Sequence, residues 1–471
     1  MSYEEFDIKI KEAAGFFNKL PNNEVIRIIS HIDADGICSA SLIIKLLNLQ
    51  NRKYSVSIVP ALTSHLLDEY KNENYKIYIV TDLGSGALSQ IAEALNSKKV
   101  IILDHHTLES KESFDNIMHV NPHEFGIDGG MEISGAGVSF LFAREVDSRM
   151  EMFSYLAIIG AIGDVQDKDD LIGLNKKIMD IAVTKKKINV VKTLRFFGIN
   201  TRPLYKILEY SNNPRIPGVT GSESSAIQFL THLGINPKKG DDWRLFTDLS
   251  EDDKKKLALG IIMRRKDEPN ADDIFGNSYQ LVDETDPQLM NVKEFATLLN
   301  ACGRLGKASF GIGACLNDPK IKKKAISTMQ AYKREIVAAM NWYRDNSESE
   351  SIIKEDGFMI IHAEDNILPT MIGTISSMIS KSGNLKENTY LMSLARNNDR
   401  TTKISLRITG ENNSNIDLRG IISEITRKIG GEAGGHMNAA GAVIPTKNEK
   451  DFIDEAKLVL RRVSMEMVLG S

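Results

Sequence analysis

The chain has 471 residues, 42% of them apolar and 26% charged, which excludes a disordered polymer and implies two or three folded domains. It contains no run of about 18 apolar residues, and the start Met1-Ser2-Tyr3-Glu4-Glu5-Phe6 has neither part of a secretory signal, so the expected setting is the cytoplasm with no membrane contact. A formal net charge of −4 excludes a grip on nucleic acid by bulk charge, and three scattered cysteines (Cys38, Cys302, Cys315) exclude a disulfide framework.

Up to about residue 165, apolar runs alternate with helical patterns. Val25–Ile29 reads as a strand followed by a helix over Ile37–Leu49, Val56–Val59 is followed by Ser64–Lys71, and Ile77–Val80 by Ala87–Asn96. Val100–Leu103 runs into a loop, after which helices cover Gly135–Asp147 and Phe153–Ile162. Strands separated by helices of this length predict α/β architecture with a doubly wound parallel sheet, whose ligands bind beyond the carboxyl ends of the strands. Residues 175–345 read as mostly helical, with irregular stretches near Asn212–Gly221, Pro237–Asp242 and Asp267–Asp286, and end in a long helix over Lys320–Arg344. Beyond the polar break Asp345–Ser349 the pattern is mixed α/β, with strands at Phe358–Ile361, Thr389–Ala395 and Lys403–Ile408 and helices near Met371–Ser380 and Ile416–Ile429. The expected domains are therefore 1–190, 191–345 and a smaller 346–471. Lys185–Lys187 and Lys322–Lys324 read as solvated helix faces, and Phe196, Phe197, Trp243 and Trp342 as packing residues.

Four acidic turns carry the chemistry: His31-Ile32-Asp33-Ala34-Asp35-Gly36, then Asp82, then Asp104-His105-His106, then Gly163-Asp164-Val165. Three of them follow strands, so their carboxylates and imidazoles collect at one sheet edge. Singly, an Asp after a strand is as well explained by an N-cap or a turn; their order and repetition are not. If Asp33, Asp35, Asp82 and Asp164 meet, their mutual repulsion calls for cations, and two divalent ions neutralise them. Carboxylates suit Mg²⁺ and Mn²⁺, and the added imidazoles favour Mn²⁺.

These four motifs resemble, in order, those of the DHH phosphoesterase superfamily. The segment Gly434-Gly435-His436-Met437-Asn438-Ala439-Ala440-Gly441 resembles the signature of its DHH-associated domain, and Leu299-Asn300-Ala301-Cys302-Gly303-Arg304-Leu305-Gly306 is similar to a segment of RecJ-type exonucleases, the archaeal GINS-associated type in particular. The resemblance implies two metal sites: His31, Asp33 and Asp82 on one ion, and Asp35, Asp82, His105 and Asp164 on the other. It further implies that Asp104 orients its neighbours and that His106 faces the scissile phosphate. Arg304, Arg407, Gly434, Gly435 and His436 would contact substrate. All motif carboxylates are present, so the implied activity is a two-metal exonuclease on single-stranded DNA or RNA in replication or repair.

Two other readings remain open. One is a phosphoesterase for short oligonucleotides or nucleotides. The other is a replication scaffold that binds GINS through the helical middle segment.

Overall fold

The computed structural model describes residues 3–108, 112–168, 170–211, 214–268, 270–410 and 416–470. The chain divides into two compact units, 1–326 and 327–471.

The first unit opens with α1 (Tyr3–Asn18) and then alternates β1 (Ile26–His31), α2 (Ala34–Leu49), β2 (Tyr54–Val59), α3 (Ser64–Asn72), β3 (Ile77–Thr81), α4 (Leu88–Ala94), β4 (Lys99–Leu103) and β5 (Ile117–Val120). The strands form one parallel sheet in the order β2-β1-β3-β4-β5. β3 is buried at every position and β1 at all but His31, which is why both read as unbroken apolar runs rather than alternating ones. One face is covered by α3 and α4 through Leu67, Tyr70, Leu88 and Ile91. The other is covered by α2 and α5 (Gly135–Val146), with α6 (Ser154–Gly163) packed on both of these helices.

The parallel sheet is the one expected, with shifted boundaries. β1 runs two residues further than its apolar run, which puts His31 on the strand end, and α2 begins at Ala34 because Asp33 caps it by accepting from the Gly36 N–H at 3.0 Å. The segment after β4 holds a further short strand, β5. Its polar His119 interrupted the apolar signal.

After α7 (Gly173–Thr184), β6 (Ile188–Leu194) leads out into an insert made of α8 (Leu204–Glu209), α9 (Glu223–His232), the minimal hairpin β7 (Lys238–Lys239) and β8 (Asp242–Trp243), and α10 (Glu251–Arg264). The chain returns along β9 (Phe275–Leu281), antiparallel to β6 over seven residue pairs. This ribbon lies where a mostly helical or irregular chain was expected. Both strands are largely solvent-facing and mix Asn, Lys, Gly and Ser with apolar residues, so neither shows a clean period. The insert has its own core, from Leu194 to Ile274, which includes Phe196. Trp243 is 36% exposed, with its ring 4.3 Å from that of Tyr205.

The first unit closes with α11 (Pro287–Met290), α12 (Val292–Arg304) and α13 (Ala308–Cys315), and the division between units falls within α14 (Pro319–Asp345). α12 packs on α6 and α2 and meets the turn after β1: Asn300 Oδ1 accepts from the Ala34 N–H at 3.0 Å, and Gly303 lies against the carbonyl of Ile32.

The second unit holds β10 (Ile352–Glu355), β11 (Phe358–His362), α15 (Ile372–Ser380), β12 (Tyr390–Arg396), β13 (Thr401–Ile408), α16 (Leu418–Ile429), β14 (Glu432–His436), β15 (Ala439–Pro445) and α17 (Glu449–Gly470). Its mixed six-stranded sheet has the order β10-β11-β12-β13-β15-β14. One face packs on α16 and α17, the other on α15 and on Ile336, Ala339 and Met340 of α14, with Trp342 alongside.

A Cβ at position 303 would collide with the Ile32 carbonyl oxygen, which is main chain and cannot swing away. Gly303→Ala is expected to cost about 1–3 kcal/mol, the range for overpacking, whereas Gly15→Ala, in helix α1 with nothing within 4 Å of the added carbon, is neutral or stabilising. Thermal denaturation of the two variants beside the wild type checks this; equal melting temperatures would contradict the contact.

Candidate metal centre

The four acidic turns converge at the carboxyl ends of β1, β3 and β4, beside the point where the strand order reverses between β1 and β3. In an open parallel sheet this is where a crevice forms.

Each carboxylate is held differently. Asp33 uses Oδ1 as the α2 cap and turns Oδ2 toward His31, 2.8 Å from its Nδ1, so the cap leaves one oxygen facing the crevice. Asp35, in the first turn of α2, accepts from the main-chain N–H groups of Gly135 (2.6 Å) and Ala136 (3.0 Å), so the amino end of α5 meets it directly. Asp82 follows β3 with φ of +55°, a left-handed backbone fixed by its N–H bond to Leu103 O at 2.9 Å. Asp164 closes α6, and its Oδ2 accepts from the Gln166 side chain at 3.1 Å.

The imidazoles are aimed as well. His105 Nδ1 lies 2.6 Å from Gly129 O, which can only accept, so Nδ1 carries the hydrogen. Its Nε2 then faces Asp82 Oδ1 (3.2 Å), Asp35 Oδ2 (3.6 Å) and Asp164 Oδ2 (3.8 Å). A second-layer carbonyl that fixes the tautomer is the usual accompaniment of a metal-binding histidine. Asp82 points Oδ1 at His105 and Oδ2 at His31, 3.5 Å from Nδ1, and among the described residues neither buried oxygen has a hydrogen bond. Three sets of donor atoms lie within 4.8 Å of one another: His31, Asp33 and Asp82; Asp35, His105 and Asp164; Asp82, His105 and His106.

Asp104 stands apart because it is saturated. It is fully buried; Oδ2 accepts from Ser85 N at 2.8 Å, and Oδ1 accepts from His105 N at 2.8 Å and sits 2.7 Å from His106 Nδ1. That pair fixes the His106 ring with its Nε2 turned away from Asp104.

The charges reflect this arrangement. Burial and the Asp82 carboxylate push Asp35 well above the usual range, and burial pushes Asp164 up to about 6. Burial would lower His31 and His105, yet the surrounding carboxylates raise both well above an ordinary imidazole. The pocket therefore attracts positive charge from whatever source can supply it.

Glycines make the closeness possible. A Cβ at Gly160 would collide with the Asp35 carboxylate, and one at Gly135 would lie 2.6 Å from Asp82 Oδ1. Neither glycine, nor Ser85, Asn121 or Gln166, was singled out from the sequence. The available signal was Ser134 capping an apolar helix, since main-chain donors leave no side-chain trace.

Arg304 ends α12 immediately after Gly303, so this helix end abuts the β1–α2 turn, and the side chain is half-buried. In the second unit, Arg407 on β13 donates to Ser377 Oγ (3.0 Å), Leu406 O (2.8 Å) and Ala440 O (3.3 Å). Ala440 is the register partner of Gly435 across β14 and β15, and Gly434 pairs with Gly441, so Arg407 and the glycine segment are neighbours. Gly435 has φ of +119°, and a Cβ there would lie 2.5 Å from Ala439 O. The side chain of His436 lies outside the described residues.

Three family domains match this chain: the DHH family N-terminal domain over 25–163, the DHH-CID domain over 196–271 and the DHHA1 domain over 356–462. The chain belongs to the DHH superfamily. An uncharacterized protein of Methanocaldococcus jannaschii is 29% identical over 437 residues, 91% of each chain. Among solved structures, RecJ from Thermus thermophilus in complex with Mn²⁺ superposes with a TM-score of 0.59 at 16% identity over 96% of this chain and 55% of that one. An exonuclease RecJ bound to manganese gives 0.57 at 15% identity over 96% and 94%, and CDC45 from Entamoeba histolytica gives 0.61 at 11% over 98% and 99%. At these identities the likeness is one of fold: this DHH protein has a RecJ-like architecture and spans about half the length of the Thermus protein.

The donor set of this DHH protein fits hard or borderline divalent ions: carboxylate oxygens and imidazole nitrogens converge, and among the described residues neither oxygen of the buried Asp82 carboxylate has a hydrogen bond. Without an ion, the cluster is a source of repulsion. Asp82→Asn is therefore expected to keep or raise the melting temperature of metal-free protein while abolishing the rise that Mn²⁺ produces in the wild type, about 2.7 kcal/mol at 100 times the dissociation constant. Differential scanning fluorimetry with and without Mn²⁺ reads both effects; an undiminished Mn²⁺ shift in the variant would remove Asp82 from the site.

Proposed function

We propose that this DHH protein is a divalent-metal-dependent phosphodiesterase that removes nucleotides from an end of single-stranded DNA or RNA. The observation that carries the reading is the convergence of a complete acid and imidazole set around the buried Asp82, with the Asp104–His106 pair beside it. An inactive descendant of such a site would have no reason to keep its repulsive carboxylates buried and aligned.

His31, Asp33 and Asp82 would hold one ion, and Asp35, Asp82, His105 and Asp164 a second, with Asp82 shared; Mn²⁺ suits the mixed donors and Mg²⁺ is the alternative. Bound ions of this kind polarise a phosphoryl oxygen and ready a water for attack. His106, its ring fixed by Asp104, holds the scissile phosphate or gives a proton to the leaving oxygen. Residues 1–190 form the catalytic domain in this reading. Residues 346–471 bind the strand through Arg407, Gly434, Gly435 and His436, with Arg304 contributing from the 191–345 region. A forked guanidinium suits phosphate, and glycines let the backbone approach it.

The likeness in fold to CDC45, which spans nearly all of both chains, supports a second reading, a replication scaffold that docks GINS through the 191–345 region. A phosphoesterase for short oligonucleotides or nucleotides is the remaining alternative.

Digestion of 5′- and 3′-end-labelled single-stranded DNA and RNA with Mn²⁺ tests the proposal. The wild type is expected to give a stepwise ladder from one end, Asp82→Ala to fall to background, and His106→Ala to lose about 10²–10⁴-fold, the usual weight of a general acid. Cleavage confined to strands of a few nucleotides would transfer the activity to short substrates. No cleavage, together with retention of GINS on the immobilised protein, would establish the scaffold.

A further inference from the structure

The buried side of the Asp104–His106 pair is braced by a continuous chain of polar side chains. Ser85 lies in the short turn after β3 and is fully buried; its N–H holds Asp104 Oδ2 at 2.8 Å. Its Oγ accepts from Asn121 Nδ2 at 2.7 Å and lies 2.9 Å from His119 Nε2. His119 Nδ1 in turn lies 3.0 Å from Glu124 Oε1. Asn121 Nδ2 also donates to the His106 carbonyl at 2.8 Å, and its Oδ1 accepts from His123 N at 2.9 Å.

Hydrogen bookkeeping gives the chain one consistent direction. Asn121 donates into Ser85 Oγ, so the Ser85 hydroxyl hydrogen is available for His119 Nε2. That nitrogen then accepts, Nδ1 carries the hydrogen, and it donates to the Glu124 carboxylate. Every donor has an acceptor. Ser85, His119 and Glu124 have the spacing of a hydrolytic triad, but Ser85 is 0% exposed and its hydroxyl is spent inside the chain, so no substrate meets it as a nucleophile.

We propose that Ser85, His119 and Asn121 are positioning residues for His106. Through Ser85 N they fix Asp104, and through Asn121 they fix the main chain at His106. The ring is thereby kept with Nδ1–H on Asp104 and Nε2 toward the substrate. The inference rests on the phosphodiesterase reading for its kinetic consequence and on geometry alone for its structural one.

Two measurements test it on Ser85→Ala, His119→Ala and His119→Gln, the last keeping an oxygen that can accept the Ser85 hydroxyl hydrogen. With ¹⁵N-histidine labelling, the His106 Nδ1–H of the wild type is expected to report a single ordered hydrogen bond to Asp104, which the two alanine variants lose and His119→Gln retains. In turnover, the alanine variants are expected to lose about 10–100-fold in kcat, with KM and Mn²⁺ affinity within twofold of wild type, and His119→Gln to recover most of the loss. An unchanged His106 signature in Ser85→Ala and His119→Ala would overturn the proposal. So would a loss of Mn²⁺ binding in parallel with kcat that His119→Gln does not repair. If the wild type cleaves no phosphodiester, the phosphodiesterase reading fails by itself, and the His106 Nδ1–H signal still decides the positioning role.

Discussion

The constraint on which the rest depends is the burial of like charges at the end of a parallel sheet. Asp35 and Asp82 are each about 1% exposed, and Asp33 and Asp164 stand at the same crevice. Carboxylates taken out of water cost several kcal/mol each unless something compensates. The surrounding fold supplies partial compensation: the amino end of α5 meets Asp35, the α2 turn meets Asp33, and Gln166 meets Asp164. Among the described residues neither carboxylate oxygen of Asp82 has a hydrogen bond, and only the imidazoles of His105 and His31 face them, at 3.2 and 3.5 Å. The unmet remainder of the charge is what suits the cluster to a divalent ion.

Two classes of carboxylate result, and their protonation separates them. Burial alone would raise all of them. Asp104 and Asp33 are nevertheless drawn below the ordinary range, because His106 and His31 face them and main-chain N–H groups complete their bonding. Asp35 and Asp164 are driven upward by burial and by the neighbouring acids. Asp104 and Asp33 each face a histidine and hold a turn in place, while Asp35 and Asp164 face His105 and the neighbouring acids.

The parallel sheet, its strand ends and the order of the acidic turns were legible in the sequence because each depends on local pattern: β-branched runs, helical spacing, a polar residue at the strand end. What escaped was non-local or written in the main chain. Asp35 is met by the N–H groups of Gly135 and Ala136, a hundred residues away, and a backbone donor carries no residue type to read. The β6–β9 ribbon pairs Ile188 with Leu281 and Leu194 with Phe275, a partnership neither amphiphilic strand reveals by itself. The short β5 stayed hidden because His119, which braces Ser85, interrupts a run of only four residues and Asn121 follows at once.

The glycines show how tightly packing and chemistry are coupled here. Gly135 and Gly160 bring helices α5 and α6 to within contact of Asp82 and Asp35, and Gly303 brings α12 onto the carbonyl of Ile32 between His31 and Asp33. A side chain at any of these positions would have to displace either a backbone carbonyl or a candidate ligand. The same absence of side chains that lets three helices close over the sheet edge therefore also sets the distances between the acids. The helical layer and the candidate metal centre consequently cannot be altered independently. A substitution that loosens the packing of α5, α6 or α12 moves the carboxylates, and an ion that draws the carboxylates together tightens the packing.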